Sequence, residues 1–190
     1  MSFSGPSDED RDELLLSCRY GDLEDIQRFV DNFGAEALTE VRDESGNTVL
    51  HMVSANGHID ALEYLLSVLP APLLSTPNHA GSTPLHWAAL NSQLAVVQTL
   101  VRYEKGPGKD LIDIKNAAGR TPLGEAENIG WDEGAKWMVE VMNLDEKGRE
   151  EEDATVDASQ DIEVEIQDAE GQVARMKIGT QGSTEPSPSV

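Results

Sequence analysis

Cysteine is almost absent. The single thiol, Cys18, rules out an intrachain disulfide, which fits a reducing compartment. Aromatic residues make up 5% of the chain and hydrophobic residues 38%, so part of it is expected to lie outside any core. No apolar run approaches the roughly 18–20 residues needed to cross a bilayer. The first residues, Met1 to Glu13, are polar and acidic, which argues against a secretory signal or transit peptide. Basic residues are scarce as well: 14 stand against 36 acids, a net charge of −22 over 190 residues. Nucleic acid and anionic membrane would be repelled by such a chain, whereas a basic protein would be attracted. Lys and Arg never gather into a nuclear-import run. The expectation is a soluble intracellular protein, and a monomer.

The acid is unevenly spread. Residues 1–144 hold 23 acidic and 10 basic side chains, and residues 145–190 hold 13 and 4. Past Asp145 comes the cluster Glu150, Glu151, Glu152, Asp153, and the chain closes on a Ser/Thr/Pro/Gly stretch from Gly179 to Val190. Such composition does not offset its own ordering entropy, so residues 1–9 and 145–190 are expected to be disordered. Within the tail, Ile162, Val164 and Ile166 alternate with acids, Gln172 to Ile178 is β-like, and Asp168 to Gly171 suits a turn. A lone hairpin is marginal in water, so disorder remains the expectation there too.

Repetition organises the rest. GNTVLHMVSANGH begins at Gly46, GSTPLHWAALNSQ at Gly81 and GRTPLGEAENIGW at Gly119, spacings of 35 and 38 residues. An earlier degenerate copy aligns Leu14 with Leu50 and Gly21 with Gly57. Each glycine suits a tight turn with positive φ. Thr48, Thr83 and Thr121 sit where helix N-caps belong, and Pro84 and Pro122 occupy the first helical position. Leu50, Leu85 and Leu123 face a core. His51 and His86 are placed to bond back to the turn. Ser54, Ala88, Ala89 and Ala126 allow close stacking, and Gly57 and Gly130 end the first helix of their repeats. A second amphipathic helix follows each copy. This is the helix–turn–helix plus β-turn unit with the T-P-L-H-x-A pattern of ankyrin repeats.

The expected fold is all-α, an ankyrin-repeat solenoid of about four repeats over residues 10–144, with repeats near 10–42, 43–77, 78–115 and 116–144. The connections Val68–Thr76 and Tyr103–Asp113 are read as loops at the edge of the stack. Gly124, a glycine within a helix that costs about 1 kcal/mol relative to alanine, marks the end expected to fray first.

No catalytic, metal or cofactor site is expected. His51 and His86 share one repeat position, so a structural role explains both. His58 follows a helix-ending glycine, His79 lies in a turn, and no pair has a ligand spacing with a third ligand nearby. Cys18 aligns with Ser54 and Ala89, a small buried position, although Arg19 beside it is a weak argument for reactivity. Nothing singles out an acid–base pair among so many carboxylates, and no phosphate loop or nucleophile motif is present.

The concave groove formed by turn tips and inner helices is the candidate partner surface. Positions not needed for packing are Glu44, Ser45, Asn47, Ala55 and Asn56 in repeat two, His79, Ala80, Ser82, Leu90 and Asn91 in repeat three, and Ala117, Ala118, Arg120, Asn128 and Ile129 in repeat four. Repeat one adds Arg19 and Tyr20. Met52 and Trp87 share an inner-helix position and either reach the groove or pack in the core. Trp131 and Trp137 are cap packing or an exposed anchor. Such a groove in a negative field suits a cationic helix or strand, and Glu150–Asp153 form either a solubilising tail or an anionic arm for the same partner.

The blocks TVLHMVSANGHIDALEYLL and TPLHWAALNSQLAVVQTL, then GEAEN, then an acidic tail, resemble the fungal ankyrin-repeat chaperones dedicated to ribosomal protein three of the small subunit. The resemblance spans residues 10–144, with the tail matching in composition only. Val49 replaces the usual proline, and Ser92-Gln93 the usual Gly-His. The resemblance implies a non-enzymatic chaperone of a newly made basic small-subunit ribosomal protein. It would bind the client's basic N-terminal region, keep it soluble and free of unwanted nucleic acid, and accompany it from cytoplasm to nucleus. A generic ankyrin adaptor is the competing class, and a redox role for Cys18 the remote one.

Overall fold

A computed structural model describes residues 5–153, 162–167 and 173–178, with side chains described over residues 5–143. The chain divides into two units, Met1–Asp145 and Glu146–Val190.

The first unit is a stack of helix pairs. Repeat one is α1 (Asp8–Tyr20) and α2 (Leu23–Phe33), and repeat two is α3 (Val49–Asn56) and α4 (Ile59–Val68). Repeat three is α5 (Pro84–Leu90) and α6 (Leu94–Arg102). A short α7 (Asp110–Asp113) precedes repeat four, which is α8 (Pro122–Asn128) and α9 (Asp132–Asp153). The chain starts ordering earlier than expected. Ser7 caps α1 in a reciprocal pair with Asp10, so residues 8 and 9 belong to the first helix and not to a disordered leader. Asp10, an acceptor for both the hydroxyl and the amide of Ser7, has its carboxyl held below the usual range. Residues 1–4 lie outside the described residues.

The inner helices α1, α3, α5 and α8 pack side by side through Cys18, Val53, Ser54, Ala88, Ala89 and Ala126, all buried. The outer helices contribute Ile26, Leu62, Leu65, Val97 and Leu100, which are also buried. Each fully buried aliphatic side chain of this kind contributes about 1.5–3 kcal/mol. The two long connections are not plain loops. A 3-10 turn at Ala71–Ser75 buries Leu74, and α7 buries Leu111 and Ile112, so both belong to the core. The apolar residues inside these connections drive their folding inward.

Between the helix pairs, three turns project with the same hydrogen bonds. Asp43, Asn78 and Asn116 open them. One side-chain oxygen of each accepts from the amides two and four residues on, at 2.8–3.0 Å. The turn glycines Gly46, Gly81 and Gly119 have φ of 77°, 73° and 74°, the left-handed region that favours glycine. At Gly81 a Cβ would meet the Ala117 amide nitrogen at 2.7 Å, so glycine is also needed for the close approach of the next turn.

Successive turns are tied together. The His79 amide donates to the Ser45 carbonyl and the Ala117 amide to the Ala80 carbonyl, both at 2.9 Å. The two repeat histidines do more than bond back to their own turns. The Thr48 amide donates to His51 Nδ1 at 3.1 Å, which leaves the proton on Nε2, and Nε2 donates to the Ser82 carbonyl one repeat on at 2.8 Å. His86 repeats this with the Thr83 amide at 3.1 Å and the Arg120 carbonyl at 3.0 Å. Repeat four has Gly124 in place of the histidine.

Past Leu144 the expectation of disorder needs correction at two places. Helix α9 runs on through Glu150, Glu151 and Glu152 to Asp153, so the acidic cluster is helical. Strands β1 (Ile162–Gln167) and β2 (Val173–Ile178) pair antiparallel, with Ile162 opposite Ile178 and Gln167 opposite Val173. The alternation of Ile162, Val164 and Ile166 is satisfied as a hairpin. Its turn, and the closing stretch from Gly179 to Val190, lie outside the described residues. Among the described residues, no helix is long and apolar enough to cross a membrane.

His51 carries an acid-sensitive link. Burial lowers its pKa to about 4, against the opposing pull of the Ser82 hydrogen bond. The unfolded chain, with the ordinary value of 6.5, therefore takes up the proton first. The linked stability is complete above pH 6.5 and is lost as pH falls towards 4, about 3 kcal/mol in all. Burial lowers His86 in the same direction. Urea unfolding should show a midpoint that drops across this window. His51→Gln should be less stable at neutral pH by about 2 kcal/mol, with a shallower drop on acidification. A drop parallel to the wild type would remove His51 as the link.

Candidate functional site

The register of the repeats brings three columns of inner-helix residues to the concave side. Leu16, Met52 and Trp87 form the first, with Glu125 in the fourth repeat. Arg19, Ala55, Leu90 and Asn128 form the second, and Tyr20, Asn56, Asn91 and Ile129 the third. Several are apolar and open to solvent: Tyr20 is 74% exposed, Leu16 50%, Ile129 43% and Leu90 37%. Met52 and Trp87 are half-buried. The rings of Trp87 and His51 are perpendicular with centroids 5.8 Å apart, so Trp87 both packs on the core and lines the groove. Asn56 and Asn91 donate to the carbonyls of Met52 and Trp87 at 2.8 Å, closing the ends of α3 and α5 and holding their own side chains in place.

Repeats two and three form an open depression. Glu44, Ser45, Asn47, His79, Ala80, Ser82, Trp87, Leu90 and Asn91 line it together with Asn78. Nine of the positions expected from sequence thus converge there, and Asn78 is the one that sequence reasoning missed. Its signal was present: Asp43, Asn78 and Asn116 recur at the turn spacing.

Two of the converging residues are not free for a partner. Asn47 and Ser82 are buried. The Asn47 side-chain oxygen accepts from the Asn78 amide group at 2.7 Å, and its amide group donates to Asp43 at 2.8 Å. Ser82 acts through its backbone, with its amide on Asn78 and its carbonyl on His51. The exposed lining is therefore Glu44, Ser45, His79, Ala80, Leu90 and Asn91, with half-buried Trp87.

Repeat four is built differently. Glu125 is buried, takes the Asn116 amide group at 2.6 Å and lies 3.0 Å from the Arg120 guanidinium. The equivalent Asn78 finds its acceptor in Asn47 of the preceding turn, where the repeat before Asn116 has Ser82, so Glu125 of the same repeat takes the amide group instead. Arg120, expected in the groove, is exposed but committed to this pair, while Ala117, Ala118, Asn128 and Ile129 remain exposed. Trp131 and Trp137 are half-buried against the core, and the Arg102 guanidinium sits over the Trp137 ring at 5.4 Å. A Cβ on Gly134 would collide with the Trp131 ring, so glycine makes room for that packing.

Charge is thin inside the groove. No Asp, Glu, Lys or Arg occurs between Glu63 and Arg102. Glu44 is the one charged residue that lines the depression. The negative field comes from repeat one, the Glu36–Asp43 approach and the tail. The centre offers aromatic, aliphatic and amide groups.

The other reactive side chains are engaged. Cys18 is fully buried, and burial pushes its thiol well above the ordinary range, which disfavours the thiolate. Both ring nitrogens of His51 and His86 are hydrogen-bonded, and His58 Nε2 meets the Arg19 carbonyl at 2.9 Å. His79 lies against Gly46, whose Cβ would clash with its ring. Among the described residues, no three His, Cys, Asp or Glu side chains converge as metal ligands.

Asn47→Ala should destabilise the fold by about 1–3 kcal/mol, because the Asn78 amide group loses its acceptor in a buried place. Ser82→Ala keeps both backbone bonds and should stay within about 1 kcal/mol of the wild type. Chemical unfolding of the two variants side by side checks this, and equal losses would refute the assignment of work to the Asn47 side chain.

Comparison with known proteins agrees with this architecture. Three copies of the ankyrin repeat match residues 14–113. Ankyrin repeat-containing protein YAR1 of Saccharomyces cerevisiae is 32% identical over 158 residues, 77% of this chain and 76% of that protein. Ankyrin repeat domain-containing protein 63 of mouse is 36% identical over half of this chain but only 23% of its own length. Among solved structures, the yeast ribosomal protein Rps3 in complex with its chaperone Yar1 matches with a TM-score of 0.65 and 32% identity. That match covers 71% of this chain and 95% of the matched one. The chain belongs to the ankyrin-repeat family.

Proposed function

We propose that this protein is a dedicated chaperone of a basic small-subunit ribosomal protein of the Rps3 type. One observation carries the reading: the likeness to Yar1 covers 77% of this chain and 76% of that protein in sequence, and the matching solved structure holds that chaperone with its ribosomal client. The mouse ankyrin-repeat relative, by contrast, is matched over only 23% of its own length.

The geometry supplies a mechanism. A ribosomal protein destined for RNA has a large unpaired positive surface. The net charge of −22 attracts that surface over long range and raises the association rate. Close contact is then made by Tyr20, Met52, Trp87, Leu90 and Ile129 on the concave side, where neutral side chains leave little desolvation cost. Aromatic anchors in such grooves carry much of the binding energy. Bound in this way, the client's basic segment is withheld from nucleic acid until ribosomal RNA competes for it. The work is binding, with no bond made or broken, and so non-enzymatic. Handover at ribosome assembly would call for residence in both cytoplasm and nucleus.

Binding isotherms with purified yeast Rps3 at 0.05 and 0.5 M salt test the reading. Affinity should weaken by at least about tenfold at the higher salt, because exposed charges are screened within about 10 Å at 0.1 M and closer still above it. Tyr20→Ala with Leu90→Ala should weaken binding at both salts and leave the unfolding midpoint nearly unchanged. Equal affinity at the two salts would sink the electrostatic mechanism. Absence of Rps3 binding at either would sink the assignment.

A further inference from the structure

Charge is graded along the solenoid. Residues 1–63, repeat one and most of repeat two, hold fifteen acids against four bases, whereas residues 64–144 hold eight against six. The gradient reaches the concave side. On α1, Glu13, Asp12 and Glu9 precede Leu16 by three, four and seven residues, which puts them on the face that carries Leu16 and Tyr20. All three acids are exposed, and among the described residues none is in an ion pair. Arg19 is the one base on that face. The turn tips fall in the same order: Glu44 and Ser45, then His79 and Ala80, then Ala117 and Ala118. Glu44 is exposed and likewise outside any ion pair among the described residues. In repeat four, Arg120 and Glu125 satisfy each other at 3.0 Å, and the rest of that end of the groove is uncharged. Glu127 shares the register of Ser54 and Ala89, which pack in the stack and not in the groove.

Three spacings of about 8–10 Å separate α1 from α8, so an extended segment of about nine residues spans the groove. Exposed charges are screened within about 8 Å at physiological salt, which is no more than one spacing. A segment lying in the groove is therefore read locally. A Lys or Arg over α1 meets unpaired carboxylates, and its aliphatic stem lies on Leu16 and the Tyr20 ring. The same cation over Ile129 and the alanine tips loses hydration and gains no partner. Apolar side chains fit there instead, beside Trp87 and Leu90. A uniform polycation matches one end only, and so does a uniformly apolar segment.

We propose that the groove takes its client segment in one direction, with the basic end on Glu9, Asp12, Glu13 and Glu44 and the apolar end on Trp87, Leu90 and Ile129. The occupant is a stretch of the basic protein in which Lys and Arg cluster to one side of apolar residues. The proposal deepens the chaperone reading and rests on it. The acids of the first end speed encounter, and the uncharged end slows release.

The test uses the full chain with yeast Rps3 as the probe. Two triple variants remove the same charge from opposite ends. Asp12→Asn, Glu13→Gln and Glu44→Gln together should slow association about tenfold at roughly 0.05 M salt and flatten its salt dependence. Glu127→Gln, Glu133→Gln and Glu140→Gln together should leave association within about twofold. Urea unfolding of the first triple should match the wild type, because its three acids lie outside ion pairs. Leu90→Ala with Ile129→Ala should speed dissociation about tenfold at low and high salt alike. Carbodiimide coupling, which joins carboxylates to lysine amines in contact, should map by mass spectrometry to Glu9, Asp12, Glu13 or Glu44 and not to Glu127, Glu133 or Glu140. Equal slowing by the two triples overturns the proposal, since the field then acts as a whole. Cross-links at the repeat-four acids, or none on the four acids of the first end, also overturn it, and in each case the chaperone reading stands. Failure of the wild-type chain to bind Rps3 overturns the chaperone reading and the proposal with it.

Discussion

The bond from a buried histidine to the next repeat's carbonyl is the constraint on which the solenoid depends. His51 and His86 each take a proton donor from their own turn at Nδ1 and donate from Nε2 to the following turn. One imidazole thus fixes the start of an inner helix and the place of the next repeat. The arrangement works only with a neutral ring, and burial favours that form. Buried polar groups of this kind cost stability unless all are satisfied, and here they are satisfied across repeat boundaries. Local unfolding of one turn therefore removes partners from its neighbour, which gives a short array its cooperativity.

The ends of the array show what happens where the ladder stops. In repeat one the first helix is capped by Ser7 with Asp10. In repeat four Glu125 takes the Asn116 amide group, whereas the equivalent Asn78 donates to Asn47 of the preceding turn. Arg120 then offsets the buried carboxylate at 3.0 Å. A charged pair at this position is understandable, because one edge of it meets water and the guanidinium stays partly solvated. Ser92 is a local departure: it adopts φ of 56° where the other repeats use glycine, and Gln93 covers Gly57 as His58 covers Gly21. The usual Gly-His pair is replaced with the geometry intact.

The repeat fold was legible because spacing, caps and small-residue positions all point to one unit. Thr48, Pro84 and Leu85 behave as their neighbours in sequence require. The short ordered pieces in the connections were not legible, since the four residues of α7 carry no period of their own and fold only because Leu111 and Ile112 find the core. Glu125 was missed because nothing local distinguishes a buried carboxylate from an exposed one; the distinction lies in Asn116 and Arg120 meeting it. Nine of the positions read from the sequence line one depression, and two of them, Asn47 and Ser82, are buried in it. Non-packing positions in a repeat include those that hold the turns together, and sequence spacing does not separate these from contact positions. The hairpin's alternation was visible, but the rule that a lone pair of strands is marginal favoured disorder over the register that β1 and β2 adopt.

The distribution of charge divides the work of recognition. An acid-lined groove would bind any cation and would hold its own carboxylates in a desolvated, repelling array once a partner covered them. This chain keeps residues 64–101 free of charge and places its acids around and beyond them. Long-range attraction selects basic proteins from the rest, since it acts before contact and depends little on shape. Short-range contact with Trp87, Leu90 and their neighbours then selects among basic proteins, because a flexible polycation without an apolar anchor gains nothing there. Release follows from the same division. On the proposed reading, a polyanion of higher charge density competes for the client's basic surface without having to dislodge a buried ion pair.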